Sequence, residues 1–232
     1  MALLKLEGIG KRYQQGEVEV QALQEIDLAL EEGEFAALVG PSGSGKTTLL
    51  NIIGALDVPS SGKVHLNSTD LTALSEAALS DFRLFQLGFI FQAYNLVPVL
   101  SALENVELVM VLQGRQAGEQ RERAEHYLEM VGLQSLMHRR PAALSGGQQQ
   151  RVAVARALAA GPRLVLADEP TANLDSENAT ALLDIMHRLS REEKTTFLFS
   201  THDPRVMERA ERIITLHDGH ITEDKEHEHR TH

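Results

Sequence analysis

The stretch GPSGSGKT, residues 40–47, constrains the fold of this chain most, because of what flanks it. The apolar run EFAALVG before it predicts a buried strand, and KTTLLNIIGAL after it predicts a buried helix. The stretch matches the phosphate-binding pattern G-x-x-x-x-G-K-S/T in the strand, loop and helix context that the pattern requires. Glycine N–H groups and the positive end of the helix favour a bound phosphate, so we predict a nucleotide site. The residues expected to contact the nucleotide are Gly40, Pro41, Ser42, Gly43, Ser44, Gly45, Lys46, Thr47 and Thr48.

Side chains for phosphate and metal chemistry follow from this match. Lys46 should reach the β- and γ-phosphates, and Thr47 should hold Mg²⁺. The apolar run LVLADE, residues 164–169, ends in two carboxylates. Asp168 can orient Mg²⁺ through water, and Glu169 can polarise an attacking water. An exposed acidic pair is the alternative, although such a pair usually lies on a polar stretch rather than behind four apolar residues.

The remaining hydrophobic pattern predicts an α/β fold. Alternating apolar residues between Leu3 and Leu30 predict a small antiparallel sheet. From about residue 93 to 160 the apolar residues recur at helical spacing, which predicts a helical subdomain. Beyond it, the apolar runs RLVLAD, TTFLFSTH and RIITLHDGHIT alternate with a helix, and the last forms a hairpin at Asp218–Gly219. Strands that alternate with helices imply a parallel sheet covered on both faces.

Composition excludes several classes of function. A length of 232 residues suits one domain with a subdomain. The formal net charge of -11 argues against a nucleic-acid partner, since neutralising phosphates requires clustered Lys and Arg. There is no run of about 18 apolar residues, so we expect no membrane-spanning segment. The absence of cysteine excludes disulfide and thiol chemistry and suits the cytoplasm.

The last ten residues, EDKEHEHRTH at 223–232, contain no apolar side chain, so we expect them to be disordered. The folded nucleotide-binding domain is therefore expected to occupy residues 1–222. Five of the ten histidines lie near this end, at His217, His220, His227, His229 and His232. A charged, solvated terminus explains the composition, and a tail that senses Zn²⁺ or Ni²⁺ is the alternative.

The stretch LSGGQQQR, residues 144–151, is a poor candidate for ordinary core, since it holds one apolar residue, two glycines and three glutamines. Glycines directly before a predicted helix would let a phosphate approach the helix N-terminus closely. We therefore predict a second phosphate clamp made of Ser145, Gly146, Gly147 and Gln148. A turn with a serine cap is the alternative. Because LSGGQ lies between a phosphate-binding loop and an Asp-Glu strand, the chain resembles the ATP-binding cassette (ABC) ATPases.

This resemblance extends from Leu3 to Ile221 and implies a P-loop NTPase fold. Its parts would be a RecA-like parallel-sheet core, an N-terminal antiparallel β subdomain and an inserted α-helical subdomain. The resemblance also implies ATP and Mg²⁺ as ligands and ATP hydrolysis as the reaction. Gln92 in FIFQAYNL resembles the glutamine that contacts Mg²⁺, and His202 in STHD resembles the histidine that contacts the γ-phosphate. The catalytic residues it implies are Lys46, Gln92, Glu169 and His202.

Two more residues and a dimer are implied by the resemblance. Tyr13 in KRY is similar to the aromatic residue that stacks on adenine, with a plain strand tyrosine as the alternative. Asp175 in NLD resembles a residue of the loop that pairs across the subunit interface. In this family two cassettes face head to tail, so the P-loop of one and LSGGQ of the other enclose each ATP. The resemblance therefore implies a homodimer.

Four stretches carry a narrower resemblance, to the lipoprotein-release and macrolide-efflux ATPases. They are GEVEVQAL at 16–23, NIIGALDVPSSGKV at 51–64, GFIFQAYNLVPVLSALENV at 88–106 and ADEPTANLDS at 167–176. Other cassette classes fit less well. About a hundred residues separate Lys46 from Ser145, too few for the long coiled coil of chromosome-maintenance relatives. Translation-factor relatives carry two cassettes in one chain, whereas this chain has one P-loop.

The narrower resemblance implies separate integral membrane permease subunits with a large extracytoplasmic domain. It also implies a peripheral location on the cytoplasmic side of the inner membrane. Export, lipoprotein extraction and other mechanical work all stay open, since no residue of the chain reports a cargo. A cell-division-type cassette that signals to peptidoglycan hydrolases is the alternative function. A nucleotide-binding scaffold without turnover is the non-enzymatic alternative, which the full set of expected catalytic residues disfavours.

Overall fold

The computed structural model describes residues 2–16 and 18–226, which form two β-sheets and the helices that pack on them. Within these ranges no helix combines the length and apolar character needed to span a membrane. The predicted α/β fold is confirmed, with an antiparallel sheet at the start of the chain and a mainly parallel sheet in its core.

The first sheet is antiparallel. Its strands are β1 (Ala2–Gln15), β2 (Val18–Glu31), β4 (Ser61–Leu66) and β5 (Thr69–Asp70). They lie in the order β2-β1-β4-β5, and apolar residues of β1 and β2 such as Leu4, Ile26 and Leu30 are buried. The antiparallel sheet predicted between Leu3 and Leu30 is thus confirmed. Strands β4 and β5, which the prediction omitted, widen it.

The second sheet forms the centre of the molecule. Its strands are β3 (Phe35–Val39), β6 (Leu87–Ile90), β7 (Leu164–Asp168), β8 (Thr196–Thr201), β9 (Arg212–His217) and β10 (His220–Glu226). They lie in the order β10-β9-β3-β8-β7-β6, and all neighbours pair in parallel except β9 and β10. A turn at Asp218 (φ 48°) and Gly219 (φ 78°) joins those two, as predicted. Because neighbouring parallel strands point the same way, the carboxyl ends of β3, β8 and β7 meet at one edge.

The helices cover both faces of this sheet. They are α1 (Lys46–Ile53), α2 (Glu76–Gln86), α3 (Ala102–Leu112), α4 (Ala117–Met130), α5 (Gly146–Ala159), α6 (Ser176–Glu193) and α7 (Pro204–Met207). Helices α3, α4 and α5 pack on one another, within the range where the sequence predicts a helical subdomain. Two of them start with a capping box, formed by Ser101 with Glu104 in α3 and by Ser145 with Gln148 in α5. These boxes satisfy N–H groups that a helix start leaves unpaired.

The parallel strands are buried on both faces and contribute to two hydrophobic cores. In β3, Phe35, Ala37 and Val39 enter the core that helices α3 to α6 share. Ala36 and Leu38 enter the opposite core, which is shared with the antiparallel sheet and α1. Continuous apolar runs such as FAALV follow from this double burial. The loop between β3 and α1 therefore starts from a fully packed strand.

The expectation of disorder from residue 223 onward is wrong for 223–226, because β10 continues to Glu226. The backbone of this segment pairs with β9, with Glu226 opposite Arg212. The Arg212 guanidinium also donates to Asp224 through two nitrogens, at 2.7 Å each, and to Glu34 at 2.9 Å. Apolar burial is therefore not required to order this strand.

Residues 227–232 lie outside the described residues, and with them His227, His229 and His232. Among the residues that the structure does describe, no group of three or more His, Cys, Asp and Glu side chains could hold a metal ion. The metal-sensing tail therefore stays an alternative suggested by the sequence only.

Candidate active site

The loop between β3 and α1 fits so closely against its neighbours that two of its glycines leave no room for a side chain. A Cβ on Gly40 (φ 152°) would lie 2.1 Å from the Leu216 carbonyl oxygen. One on Gly45 (φ 106°) would lie 2.7 Å from the Ala22 carbonyl oxygen. Both φ angles lie in the region that favours glycine. The glycines are thus required by the turn itself, whatever ligand the loop binds.

The start of α1 offers the donors that a phosphate needs. Gly45 occupies the N-cap position without a side-chain cap, which leaves the first N–H groups of the helix for a ligand. Ser44 Oγ is buried and has no hydrogen-bond partner within the described residues. Lys46 Nζ donates to the carbonyl oxygens of Gly40 and Pro41 at 2.8 and 2.9 Å, which holds the ammonium in the loop. These donors fit the phosphates of a nucleotide.

The ends of α1, β7 and β8 are joined through one carboxylate. Thr47 Oγ1 lies 2.9 Å from Asp168 Oδ2, and Ser200 Oγ donates to Asp168 Oδ1 at 2.6 Å. Asp168 and Ser200 are register partners on neighbouring parallel strands. A hydroxyl and a carboxylate side by side are the oxygen donors that Mg²⁺ prefers. The residues present therefore fit a magnesium ion beside the loop.

Glu169 follows β7 in a left-handed conformation (φ 46°), which is uncommon for a residue with a side chain. Its N–H donates to Ser200 Oγ at 2.9 Å, which anchors the backbone in this conformation. His202 Nδ1 lies 3.0 Å from Glu169 Oε1, so the imidazole and the carboxylate form a pair at the carboxyl edge of the sheet. Such an orienting contact is what a base that activates water requires.

The segment after β6 is tied to two other parts of the chain. The Gln92 carbonyl oxygen accepts from Asn173 Nδ2 at 2.9 Å, while the Gln92 side chain is exposed. Tyr94 and Asn95 follow with φ of 54° and 50°. Their carbonyl oxygens accept from the Arg156 guanidinium at 2.9 and 2.5 Å. The glutamine segment is therefore fixed both to the NLD loop and to helix α5.

The LSGGQ segment forms the N-terminus of α5. Its glycines are also packed closely against side chains inside the chain, which the sequence did not reveal. A Cβ on Gly146 would lie 2.8 Å from Tyr94 Oη, and one on Gly147 would lie 3.2 Å from Asn178 Oδ1. Asp175 holds Asn178 in place by accepting from its backbone N–H at 2.9 Å and from its Nδ2 at 2.7 Å. The backbone hydrogen bond from Asn178 lowers the pKa of Asp175.

Tyr13 lies in β1, half-buried beside the first turn of α1. Its hydroxyl donates to Asp57 Oδ2 at 2.7 Å, and Thr48 is its neighbour in α1. Lys11 Nζ lies 4.9 Å from the centre of the tyrosine ring. The predicted base-stacking residue is thus next to the P-loop helix.

The structure brings the P-loop, Asp168, Glu169 and His202 together at one edge of the sheet. Ser145 and Gln148 of the predicted second clamp bond to each other. Within the described residues, no hydrogen bond of Ser145 or Gln148 reaches residues 40–48. The described residues thus show no direct hydrogen bond between the LSGGQ segment and the P-loop of the same chain.

Comparisons with known proteins decide the family. A model of the ABC transporter family matches residues 23–172, more than half of the chain. The chain belongs to the ABC transporter family. It is also 48% identical to the lipoprotein-releasing system ATP-binding protein of Anaeromyxobacter dehalogenans, over 97% of this chain and 94% of that protein. A macrolide export ATP-binding/permease protein of Aeromonas hydrophila is 46% identical over 96% of this chain but only 34% of its own length.

Solved structures agree with this assignment. A dimeric ATP-binding cassette, MJ0796, in a post-hydrolysis state bound to ADP and Pi, is 41% identical and superposes with a TM-score of 0.89. The match covers 99% of this chain and 100% of that one. The ABC ATPase fold predicted from the motifs is confirmed, and the cassette is an ATP-binding ATPase. The relatives also support transport-coupled ATP hydrolysis over the signalling alternative.

Several residues of the cassette site escaped sequence reasoning. Ser200 makes contacts that position Asp168 and Glu169. Asn173 positions Gln92 in the same way, and Asp57 positions Tyr13. For Ser200 a signal existed, since a polar residue stands inside the apolar run TTFLFS. Asn173 belongs to the NLD motif, but its contact with Gln92, 81 positions away, could not be predicted. Nor could the contact of Asp57 with Tyr13, 44 positions away.

Ser200 gives the first test. Replacing it with alanine removes the donor to Asp168 and the acceptor for the Glu169 N–H, so steady-state ATP hydrolysis should fall at least about tenfold. Ser190→Ala is the matched control, since its buried hydroxyl donates to the Thr195 carbonyl oxygen away from the site. Both variants should lose about 1 kcal/mol of stability to urea. Equal hydrolysis rates in the two variants would show that Ser200 does not position the site.

Proposed function

We propose that this cassette binds Mg-ATP, closes into a head-to-tail homodimer and hydrolyses the nucleotide to drive a separate membrane permease. The observation that carries the proposal is the match, over 99% of this chain, to a cassette solved as a dimer bound to ADP and Pi. Lys46, Thr47, Asp168 and Glu169 share one edge of the sheet, and within the described residues no hydrogen bond links Ser145 to the P-loop. We expect a second chain to complete the phosphate site.

Nucleotide binding follows from the loop. The α1 N-terminus, Ser44 and Lys46 would hold the phosphates, with Ser42 and Gly43 at the exposed tip of the loop. Thr47 and Asp168 would hold Mg²⁺, with the exposed Gln92 side chain as a further ligand. When bound, the ion neutralises charge on the β- and γ-phosphates.

Hydrolysis requires an oriented water. Glu169 would accept a proton from that water as its oxygen bonds to the γ-phosphorus. The bond between the γ-phosphorus and the bridging oxygen breaks with its electron pair on that oxygen, and ADP leaves. His202, 3.0 Å from the Glu169 carboxylate, would hold this base in place and contact the γ-phosphate. Lys46 stabilises the charge that develops on the phosphate oxygens.

The dimer supplies the second clamp. In a head-to-tail pair with two-fold symmetry, each LSGGQ segment faces the P-loop of the other subunit, so two equivalent sites form together. The N-terminus of α5 carries the partial positive charge that favours a γ-phosphate. Asp175, in the NLD loop, would lie at the subunit interface. Two similar solved cassettes, each described as dimeric, support this arrangement.

The membrane partner follows from the relatives. The macrolide export relative combines ATP-binding and permease parts in one chain, of which this cassette matches 34%. The lipoprotein-releasing relative is a cassette of about this length. We infer that a separate permease, with a large extracytoplasmic domain, recruits this chain to the cytoplasmic face of the inner membrane. The work would be export or extraction of a cargo that the permease contacts.

One groove on the surface suits a segment of that permease. It has a volume of about 590 Å³ and runs between α2, β6, α3 and α5. Apolar residues line it, among them Leu56, Leu84, Phe89, Leu108 and Leu112. Leu56 and Leu112 are 49% and 66% exposed, so this groove offers apolar surface to a partner. We call this surface the α2–α3 groove.

Charge defines the chemistry of the occupant. Arg83 and Arg156 line the α2–α3 groove, and their recorded hydrogen bonds all go to carbonyl oxygens. Neither has a salt bridge within the described part of the chain. Burial lowers the pKa of Arg156, because desolvation disfavours the charged guanidinium. A cytoplasmic permease helix with an apolar face and an acidic residue would complement both features.

The ATP-dependent dimer gives the second test. Glu169→Gln blocks proton transfer but keeps the hydrogen-bonding shape of the side chain, so ATP should accumulate in a closed dimer. Size-exclusion chromatography with light scattering, with Mg-free ATP, should show dimer with ATP and monomer without it. With Mg-ATP, the wild-type chain should hydrolyse the nucleotide and Glu169→Gln should not, and this difference would exclude the scaffold alternative. A variant that hydrolyses ATP normally would refute the role of Glu169.

Ser145→Asp, added to Glu169→Gln, tests the clamp. Aspartate caps a helix about as well as serine, so the fold should persist while a carboxylate faces the γ-phosphate. We expect monomers that still bind ATP. The neutral Ser145→Asn control should keep the ATP-bound dimer. This pair is cleaner than a substitution at Gly147, whose Cβ would press on Asn178. A Ser145→Asp variant that still dimerises with ATP would contradict the trans site.

The α2–α3 groove gives the third test. Leu112→Asp should leave hydrolysis by the isolated cassette unchanged and should abolish its attachment to membranes of the source organism, measured by sedimentation. Val18→Asp, an equally exposed apolar position outside the groove, should stay attached. A photo-crosslinking residue at position 112, but not at 18, should join the chain to a permease identified by mass spectrometry. Equal attachment of both aspartate variants would refute the docking surface.

A further inference from the structure

Asp57 lies in the loop after α1 and joins that loop to strand β1 through two bonds. Its Oδ1 accepts from Lys11 Nζ at 2.6 Å, and its Oδ2 accepts from Tyr13 Oη at 2.7 Å. Lys11 Nζ also donates to the Val58 carbonyl oxygen at 2.7 Å. The side chains of Lys11 and Asp57 are only 11% and 28% exposed, so water competes little for this pair.

These contacts restrict the ring of Tyr13 from several sides. The hydroxyl is held by Asp57, with Thr48 of α1 beside it. The Lys11 ammonium lies 4.9 Å from the ring centre and so occupies one face, where a cation is attracted by the π-electrons. Tyr13 is nevertheless only half-buried. One face of a fixed ring is thus left for a ligand beside the P-loop helix.

A simple structural tie does not account for the whole arrangement. The bond from Lys11 to the Val58 carbonyl already links β1 to this loop, without the carboxylate. The Asp57 carboxylate adds a hydrogen bond whose donor is the tip of an aromatic side chain. The hydroxyl lies at the far end of the ring's long axis, so holding it fixes the direction of the side chain and the position of the ring, which matters to a stacked ligand and little to the backbone.

We propose that Asp57 is a positioning residue for the nucleotide base, acting through Tyr13. It holds the ring at a set distance from the first turn of α1, so that the base stacks on the open face while the phosphates lie in the P-loop. Because the ring is already ordered before the base binds, its side chain loses less conformational entropy on binding. This inference rests on the proposed function, in which the P-loop holds ATP.

The charge state of the cluster suits this role. Burial raises the pKa of Asp57, but the hydrogen bonds from Lys11 and Tyr13 outweigh it and hold the pKa below its ordinary value. Burial and the hydrogen bond to Asp57 raise the pKa of Tyr13. The carboxylate is therefore ionised and the phenol neutral near pH 7, so the bond between them persists across the working range.

The test compares two ligands that differ in having a base. ATP and inorganic tripolyphosphate are titrated into the full chain by calorimetry without Mg²⁺. Asp57→Ala should weaken ATP binding about fivefold, the loss of one hydrogen bond, and leave tripolyphosphate binding unchanged. Tyr13→Phe, which keeps the ring but loses the hydroxyl, should behave alike. The double variant should be no weaker than either single variant, because both remove the same bond.

Two further variants keep the outcome decisive. Asp57→Asn retains an oxygen acceptor for Tyr13 and should recover most of the ATP affinity. Lys46→Ala should weaken the binding of both ligands, since it removes the charge that faces the phosphates. If it weakens the binding of neither, the proposed function fails and not only this inference.

If Asp57→Ala weakens the binding of ATP and tripolyphosphate equally, or leaves ATP binding unchanged, Asp57 does not act through the base and the inference is overturned. Additive losses in the double variant would also overturn it.

Discussion

The active edge of this cassette depends on the hydrogen bonds of Asp168 to Thr47 and to Ser200. These bonds join the P-loop helix to strands β7 and β8. Ser200 Oγ also accepts a hydrogen bond from the Glu169 N–H. They form because Asp168 and Ser200 are register partners and because β3, which leads into the P-loop, pairs with the other side of β8. A shift of one residue in any of these pairings would turn the side chains to the other face and dismantle the edge.

A second set of contacts links this edge to the helical part of the chain. The fully buried Gln150 of α5 donates to the Pro170 carbonyl oxygen at 2.8 Å, one residue beyond Glu169. Arg156 of the same helix holds the segment after Gln92. Helix α5 therefore connects the LSGGQ segment, the α2–α3 groove and the catalytic strand end. In the proposed dimer, a permease that moves this helix would act on both ATP sites.

Much of this was predictable from the sequence where local pattern decides structure. The run FAALV and the P-loop after it define their own strand, turn and helix, and LSGGQ carries its own cap. What depends on distant partners was not predictable. Asp57 reads as an ordinary loop residue until Tyr13 is seen beside it. Residues 223–226 lack apolar side chains, yet pairing with β9 and the Arg212 ion pairs order them. The sequence explained the glycines of LSGGQ by a ligand or a capped turn, and did not reveal that Tyr94 and Asn178 pack closely against them.

The central claim is that each ATP site is built from two chains, and subunit complementation tests it most directly. Lys46→Ala leaves LSGGQ intact, and Ser145→Asp leaves the P-loop intact, so each variant alone should form no complete site. A mixed dimer would contain one complete site, and an equal mixture should hydrolyse ATP at about a quarter of the wild-type rate, if subunits pair at random and sites act independently. A mixture no more active than the separate variants would contradict the account.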